Sequence, residues 1–148
     1  MALSTEQTKV LITLVDNSFT FIANERNRLC SLLDNDYYNE SINKKDTLQF
    51  INDSSNKKML ACLTFNELAT VLPVDEEFID GMHSDSFNII LECIDQNIQL
   101  LQKERNSVDD IKTFVSPEVL KIIKNSFDKK VTQLEEIKNN MNSMFSYL

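Results

Sequence analysis

One acidic segment, DEEFIDGMHSD, gathers the residues best suited to chemistry, including the only histidine of the chain. Asp80, His83 and Asp85 could supply three ligands to a metal ion. The sequence has no HExxH motif and no second cluster to complete a zinc or di-metal site. The segment is more typical of helix capping and a solvated acidic face, with a docking patch for a basic protein as the alternative. We therefore assign no metal ligand and single out Glu76, Glu77 and Asp80 as candidate protein-binding residues.

The cysteines are the other candidate reactive groups. Cys30, Cys62 and Cys93 are far apart and form no CxxC motif. Each lies among apolar residues, which is typical of buried cysteines in a reducing compartment. A catalytic thiol would need a nearby base, and only His83 is available. Because the first residues also lack the basic and apolar regions of a secretory signal, we predict an intracellular, cytoplasmic protein.

Carboxylate pairs and loops for phosphate binding give no support to catalysis. Asp109-Asp110 and Glu135-Glu136 are neighbours along the chain, but general acid–base catalysis needs a pocket that shifts their pKa values. The chain has one glycine, whereas phosphate-binding loops and dinucleotide fingerprints need several. We therefore predict no enzyme activity and no cofactor.

Composition indicates the fold class. The sequence has 148 residues, of which 42% are hydrophobic, with one glycine and two prolines. Strand-rich and α/β folds use glycine for turns and close backbone approach, so long helices joined by polar loops are expected. The fold class predicted for residues 1–148 is all-α, a single helical domain built as a mostly antiparallel bundle of four main helices plus short connecting helices.

The charge is negative and unevenly distributed. The net charge is −8, and residues 57–115 carry eleven acidic and five basic side chains. Binding to a nucleic-acid backbone or an anionic membrane surface would need clustered Lys and Arg, so we predict neither partner.

Periodicity and capping signals place the helices. We expect helices at about 5–33, 56–72, 84–105 and 116–148, with the first and last side by side. Shorter ones are expected at about 45–51, 75–80 and 108–114, and Gly81 should end its helix in the left-handed conformation. Ser4 and Gln7 should form a capping box at the first helix, and Ser84 or Asp85 should cap the third. Ser116 should cap the last helix, with Pro117 at its first position. The buried side of the second should hold Leu60, Leu63, Leu68 and Val71 or Leu72, with Phe65 near its edge.

Residues 34–55 are expected to form a polar loop around that short helix, and residues 52–58 are expected to form a break before the second long helix. Asp34 and Asp36 suggest a calcium loop, but Asn39 replaces the required glycine and Lys45 the bidentate acid, so this site is rejected. In the first helix, Arg26 interrupts the apolar stripe. It either covers the core edge with its stem or contacts a partner.

The last helix has the clearest pattern, a seam whose members alternate three and four residues apart and resemble a coiled coil. The seam consists of Leu120, Ile123, Phe127, Lys130, Leu134, Ile137, Met141, Met144 and Leu148. Its end is expected to be buried in the chain's own bundle or to face a partner or second copy, with a membrane surface less favoured. Under the partner alternative, Met141, Met144, Phe145 and Leu148 are candidate protein-binding residues.

These features predict a non-catalytic intracellular protein-interaction module, either an adaptor or a subunit of a larger assembly, that binds through helix faces. A homodimer is one form of this prediction. The alternative is a pathogen-encoded regulator that binds a host or bacterial protein, with its acidic surface mimicking nucleic acid.

Overall fold

The computed structural model describes residues 1–34 and 44–145. Within these ranges the chain forms five α-helices and one 3-10 turn, Val108–Ile111. The helices are α1 (Thr5–Leu33), α2 (Lys44–Val71), α3 (Glu76–Asp80), α4 (Ser84–Ser107) and α5 (Pro117–Phe145). The described residues contain no strand beyond an isolated bridge between Ala2 and Asp75. The predicted all-α helical bundle is confirmed.

Both long terminal helices begin where the sequence predicts. Ser4 Oγ accepts from the Gln7 N–H at 3.0 Å, and Gln7 Oε1 accepts from the Ser4 N–H at 3.0 Å, which is the predicted capping box. At the start of α5, Ser116 Oγ accepts from the Val119 N–H at 3.3 Å, and Pro117 takes the first helical position. Proline suits that position because its missing N–H would have no helical partner.

The helices pack as two antiparallel hairpins, α1 with α2 and α4 with α5. In the second hairpin, Asp95 pairs with Lys138 at 2.7 Å and Arg105 with Asp128 at 2.6 Å. As the residue number rises along α4, its partner's number falls by the same amount along α5, which defines the antiparallel register. The expectation that the first and last helices lie side by side is wrong. The short connection after α4 folds α5 directly back on α4.

One core joins the two hairpins. Its buried side chains come from the segment before α1, from all five helices and from the connection before α3. The largest fully buried ones are Phe65, Phe87, Leu11, Ile79, Ile90, Ile94, Ile137, Met141 and Met144.

Helix α2 is longer than predicted. The predicted loop at 34–55 and break at 52–58 are wrong over the described part, because one continuous helix runs from Lys44 to Val71. The segment NDSSN weakens a helix by only a few tenths of a kcal/mol per residue, to about 0.7 at most, so tertiary contacts with α1 can outweigh it. One such contact is the hydrogen bond that Arg26 Nη1 on α1 donates to Asn56 Oδ1 on α2, at 3.2 Å. The rejected calcium pattern lies mostly at residues 35–43, outside the described residues.

The buried face of α2 also differs from the prediction. Ala61, Cys62, Phe65 and Ala69 are buried, whereas the predicted core residues Leu60, Leu63, Leu68, Val71 and Leu72 are exposed. The helix carries apolar side chains on two sides. The bundle covers the side that combines Phe65 with small residues, which let neighbouring helix axes come closer.

The junction between α3 and α4 corrects two smaller predictions. Gly81 ends α3 with φ −74° and ψ −11°, in the right-handed rather than the left-handed region. Helix α4 is capped by His83, whose Nδ1 accepts from the Asp85 N–H at 3.2 Å, rather than by Ser84 or Asp85.

A substitution of Gly81 by alanine should therefore be tolerated. A Cβ atom there would lie 3.5 Å from the Glu77 carbonyl oxygen and 3.6 Å from that of Phe78, which is ordinary contact. We expect Gly81→Ala to leave the free energy of unfolding unchanged or raise it by about 0.4–1 kcal/mol, because the unfolded chain loses freedom. Urea denaturation checks this. If the substitution lowers the free energy of unfolding by more than about 1 kcal/mol, Gly81 adopts the left-handed conformation in solution.

Candidate protein-binding groove

A groove runs along the exposed face of α2, beside α3 and the start of α4. We call it the α2 groove and define it by Leu60, Leu68 and Leu72 of α2 together with Phe78 and Met82. Its volume is about 410 Å³, within the range of about 300–1,000 Å³ that is typical of binding clefts. Leu60, Leu72 and Leu68 are 64%, 50% and 41% exposed. Large aliphatic side chains thus face solvent around a preformed depression.

The floor of the α2 groove is aromatic and packed. The Phe65 and Phe78 rings meet edge to face, with centroids 5.5 Å apart and planes 78° apart. Phe65 is buried and Phe78 partly buried against the core. Aromatic pairs in this geometry stabilise each other by about 0.5–1.5 kcal/mol beyond the area they bury, so the floor should keep its shape when a ligand enters.

The rim of the α2 groove is charged. Lys57 Nζ lies 3.0 Å from Asp85 Oδ2, and this hydrogen bond and the charge of Lys57 lower the pKa of the Asp85 carboxyl. Glu77 also lines the groove, and it has no ion pair within residues 1–34 and 44–145. The groove therefore combines an apolar interior with an exposed carboxylate, that of Glu77, for which the described residues provide no ion pair.

The three acidic residues predicted to bind protein have different surroundings. Glu76 Oε1 lies 2.7 Å from the Met1 amino group, whose hydrogen bond lowers the pKa of the Glu76 carboxyl. Glu77 lines the α2 groove, and Asp80 is exposed at the end of α3. Of the three, the structure brings only Glu77 to an apolar surface. No group of three metal-ligating residues, the rejected Asp80, His83 and Asp85 set included, is found in the described parts of the chain.

The structure describes three of the four residues predicted at the end of α5, and two of these three lie inside the bundle. Met141 and Met144 are fully buried, so for these two the first alternative, self-burial, holds. Phe145 is 37% exposed and stacks on Phe87 with ring centroids 4.5 Å apart. Leu148 lies outside the described residues. The exposed edge of Phe145 is the part of this group that a partner could reach without opening the core.

A second cleft lies between α1, α2 and α4. It has a volume of about 260 Å³, and its lining includes Phe21, Phe50, Arg26 and Cys93. Arg26 binds Asn56 across the helix pair, and its Nη1 also lies 3.7 Å from the Met59 sulfur. This position fits the covering role predicted for Arg26 at the core edge.

Periodicity missed the α2 groove because it assigned the exposed leucines to the core. The available signal was that α2 carries more apolar residues than one face can hold. Such a helix is either surrounded by its own chain or has one face free for a partner. Sequence alone does not distinguish the two.

Comparison with protein-family models, curated proteins and solved structures gives no match to this chain. In the described ranges, none of the helices combines the length and apolar character that crossing a membrane requires. The interpretation of the α2 groove therefore depends on its own geometry.

Proposed function

We propose that the chain is a non-catalytic protein-interaction module whose α2 groove receives an amphipathic helix of a partner protein. The observation that carries this proposal is the exposure of Leu60, Leu68 and Leu72 around one preformed depression. Monomeric proteins seldom leave such contiguous apolar surface uncovered, and patches of this kind commonly mark binding sites. The free thiols of all three cysteines support a reducing, intracellular compartment such as the cytoplasm.

The shape and charge of the α2 groove indicate the kind of partner. A helix that lays one face into a groove uses apolar residues at positions i, i+3 or i+4, and i+7 as anchors. Leu60 and Leu68 lie two helical turns apart on α2 and can contact successive anchors. Because Glu77 at the rim has no ion pair in the described part of the chain, a Lys or Arg beside the anchors would complement it.

Affinity capture with three baits tests this proposal. The baits are the wild-type chain, the double variant Leu60→Asp/Leu68→Asp, and Ile122→Asp as a control. Ile122 is 68% exposed on α5 and does not line the α2 groove, so it matches Leu60 in exposure but not in place. We expect at least one protein to be retained by the wild type and the control and lost from the double variant. Equal capture by all three baits would contradict the proposal.

Two other arrangements give different results in the same experiment. If a second copy of the chain fills the groove, sedimentation equilibrium will find a dimer that the double variant abolishes. If the acidic surface binds the partner instead, as in a regulator that mimics nucleic acid, the double variant will still retain the partner protein. It will then be lost at about 1 M salt, where charges are screened beyond about 3 Å.

A further inference from the structure

Two cysteines from different helices meet in the core. The Sγ atoms of Cys62 on α2 and Cys93 on α4 lie 3.9 Å apart, and both residues are buried. Cys30 is separate, because its Sγ lies 3.9 Å from Asn52 Oδ1, at an earlier position along α2 than Cys62. The fold therefore pairs two of the three thiols without any CxxC motif in the sequence.

The surroundings make the two thiols unequal. A hydrogen bond from the Cys62 thiol lowers the pKa of Cys93, burial opposes this, and a hydrogen bond from the Ser18 hydroxyl lowers it further. Among the charged groups near Cys93, Glu92 raises its pKa and Lys58 lowers it. The same hydrogen bond, together with burial, raises the pKa of Cys62. Cys93 is therefore the sulfur that ionises first, while Cys62 keeps its proton.

Both cysteines line surface clefts although both residues are buried. Cys93 lines the cleft of about 260 Å³ that also contains Lys58 and Glu92. Cys62 lines a separate cleft of about 240 Å³, between α1 and α2, that also contains Asn66. A small oxidant can therefore approach Cys93 through the first cleft. Larger thiol reagents meet a residue that is only 3% exposed.

We propose that Cys62 and Cys93 form a redox-active pair that a hydroperoxide oxidises to an intramolecular disulfide joining α2 to α4. The Cys93 thiolate attacks one peroxide oxygen, an S–O bond forms, the O–O bond breaks and hydroxide leaves. The Cys62 sulfur then attacks the Cys93 sulfur, the S–S bond forms and the S–O bond breaks. The departing hydroxyl takes the Cys62 proton and leaves as water. The pair loses two electrons, which reduce the peroxide.

The geometry supports this step and gives it a structural consequence. A disulfide holds its two sulfur atoms about 2.05 Å apart. The Cys62 and Cys93 sulfurs, which are now 3.9 Å apart, must therefore move closer together. The closure draws α2 toward α4 at Cys62, which does not line the α2 groove. This inference does not depend on the proposed function, since it concerns the covered face of α2.

Oxidation followed by alkylation tests the pair directly. The purified chain is treated with hydrogen peroxide, denatured with an excess of N-ethylmaleimide, and analysed by intact mass and peptide mapping. We expect one alkylated cysteine instead of three, a cross-linked peptide pair containing Cys62 and Cys93, and full reversal by dithiothreitol. Three alkylated cysteines, or a disulfide that includes Cys30, would overturn the proposal.

Two variants separate the steps without removing both core thiols. Cys30→Ser should form the same disulfide at the same rate, because Cys30 takes no part. Cys62→Ser should stop at the first step, so that dimedone labels a sulfenic acid at Cys93. Dimedone labelling confined to Cys30 would contradict the assignment of Cys93 as the first sulfur oxidised. The wild-type peptide map stands even if Cys62→Ser folds poorly.

Discussion

Replacing Met141 and Met144 together by alanine is expected to remove most of the stability of the fold. Both side chains are fully buried in the core. Truncation of a buried methionine to alanine costs about 2–5 kcal/mol, since it removes buried apolar surface and leaves a cavity. Two such losses, about 4–10 kcal/mol together, are comparable to the total free energy of unfolding of a domain, about 5–15 kcal/mol. Guanidinium denaturation of the double variant measures the loss.

The matched control replaces the same two residues by leucine. Methionine and leucine have similar volumes, so Met141→Leu/Met144→Leu should cost less than about 1.5 kcal/mol per site. Ending the chain at Lys138 should destabilise the fold as the alanine pair does, because it removes the same buried side chains. A loss below about 1 kcal/mol for the alanine pair would mean that the end of α5 is not part of the core.

The second large effect is the difference in stability between a substitution on the buried face of α2 and one on its exposed face. Phe65 is 2% exposed and Leu60 is 64% exposed on the same helix. We expect Phe65→Ala to lower the free energy of unfolding by about 3–5 kcal/mol, because it empties the floor beneath Phe78. Leu60→Ala should change it by no more than about 0.5 kcal/mol, as is usual for a surface site. Urea denaturation of both variants, with the wild type as reference, gives the comparison.

The outcome bears directly on which side of α2 the bundle covers. The sequence pattern predicted a buried Leu60 and placed Phe65 near the edge, which would make Leu60→Ala the more damaging change. If Leu60→Ala costs more than about 2 kcal/mol, the leucine face is buried in solution and the α2 groove is not available to a partner. If Phe65→Ala alone is costly, the leucine face is free.

The sequence predicted α1 and the start of α5 because local chemistry defines them. Ser4 with Gln7, and Ser116 with Pro117, are signals that act within one helical turn and need no tertiary contact. The seam of α5 also held in part, since Leu134, Ile137, Met141 and Met144 are buried. Its first half, from Leu120 to Phe127, is only partly covered.

Helix α2 was mispredicted because tertiary contacts outweigh local preference there. The polar segment around Ser54 and Ser55 resembles a loop in isolation, but contacts between α1 and α2 continue on both sides of it. Which of its two apolar faces is buried depends on the helices that pack against it, and the periodicity of its own sequence does not contain that information. The partners of α1 and α5 were misassigned for the same reason.

The candidate sites were also predicted only as far as local sequence defines them. Glu77 was singled out for its charge, and the structure adds the apolar groove beside it. The thiol pair could not be predicted from spacing, because Cys62 and Cys93 lie on separate helices and meet only through packing. The burial of Met141 and Met144 removes them from the accessible surface, whereas the exposed edge of Phe145 remains a candidate contact.

The central claim is that the exposed face of α2 is a binding surface, and site-specific photo-crosslinking tests it most directly. A benzophenone amino acid is placed at position 60 of the chain, in the cells that produce it, and at position 122 as the control. We expect a discrete cross-linked adduct from position 60 that disappears when Leu68→Asp is added, and none from position 122. No adduct from position 60, or the same adduct from both positions, would contradict it.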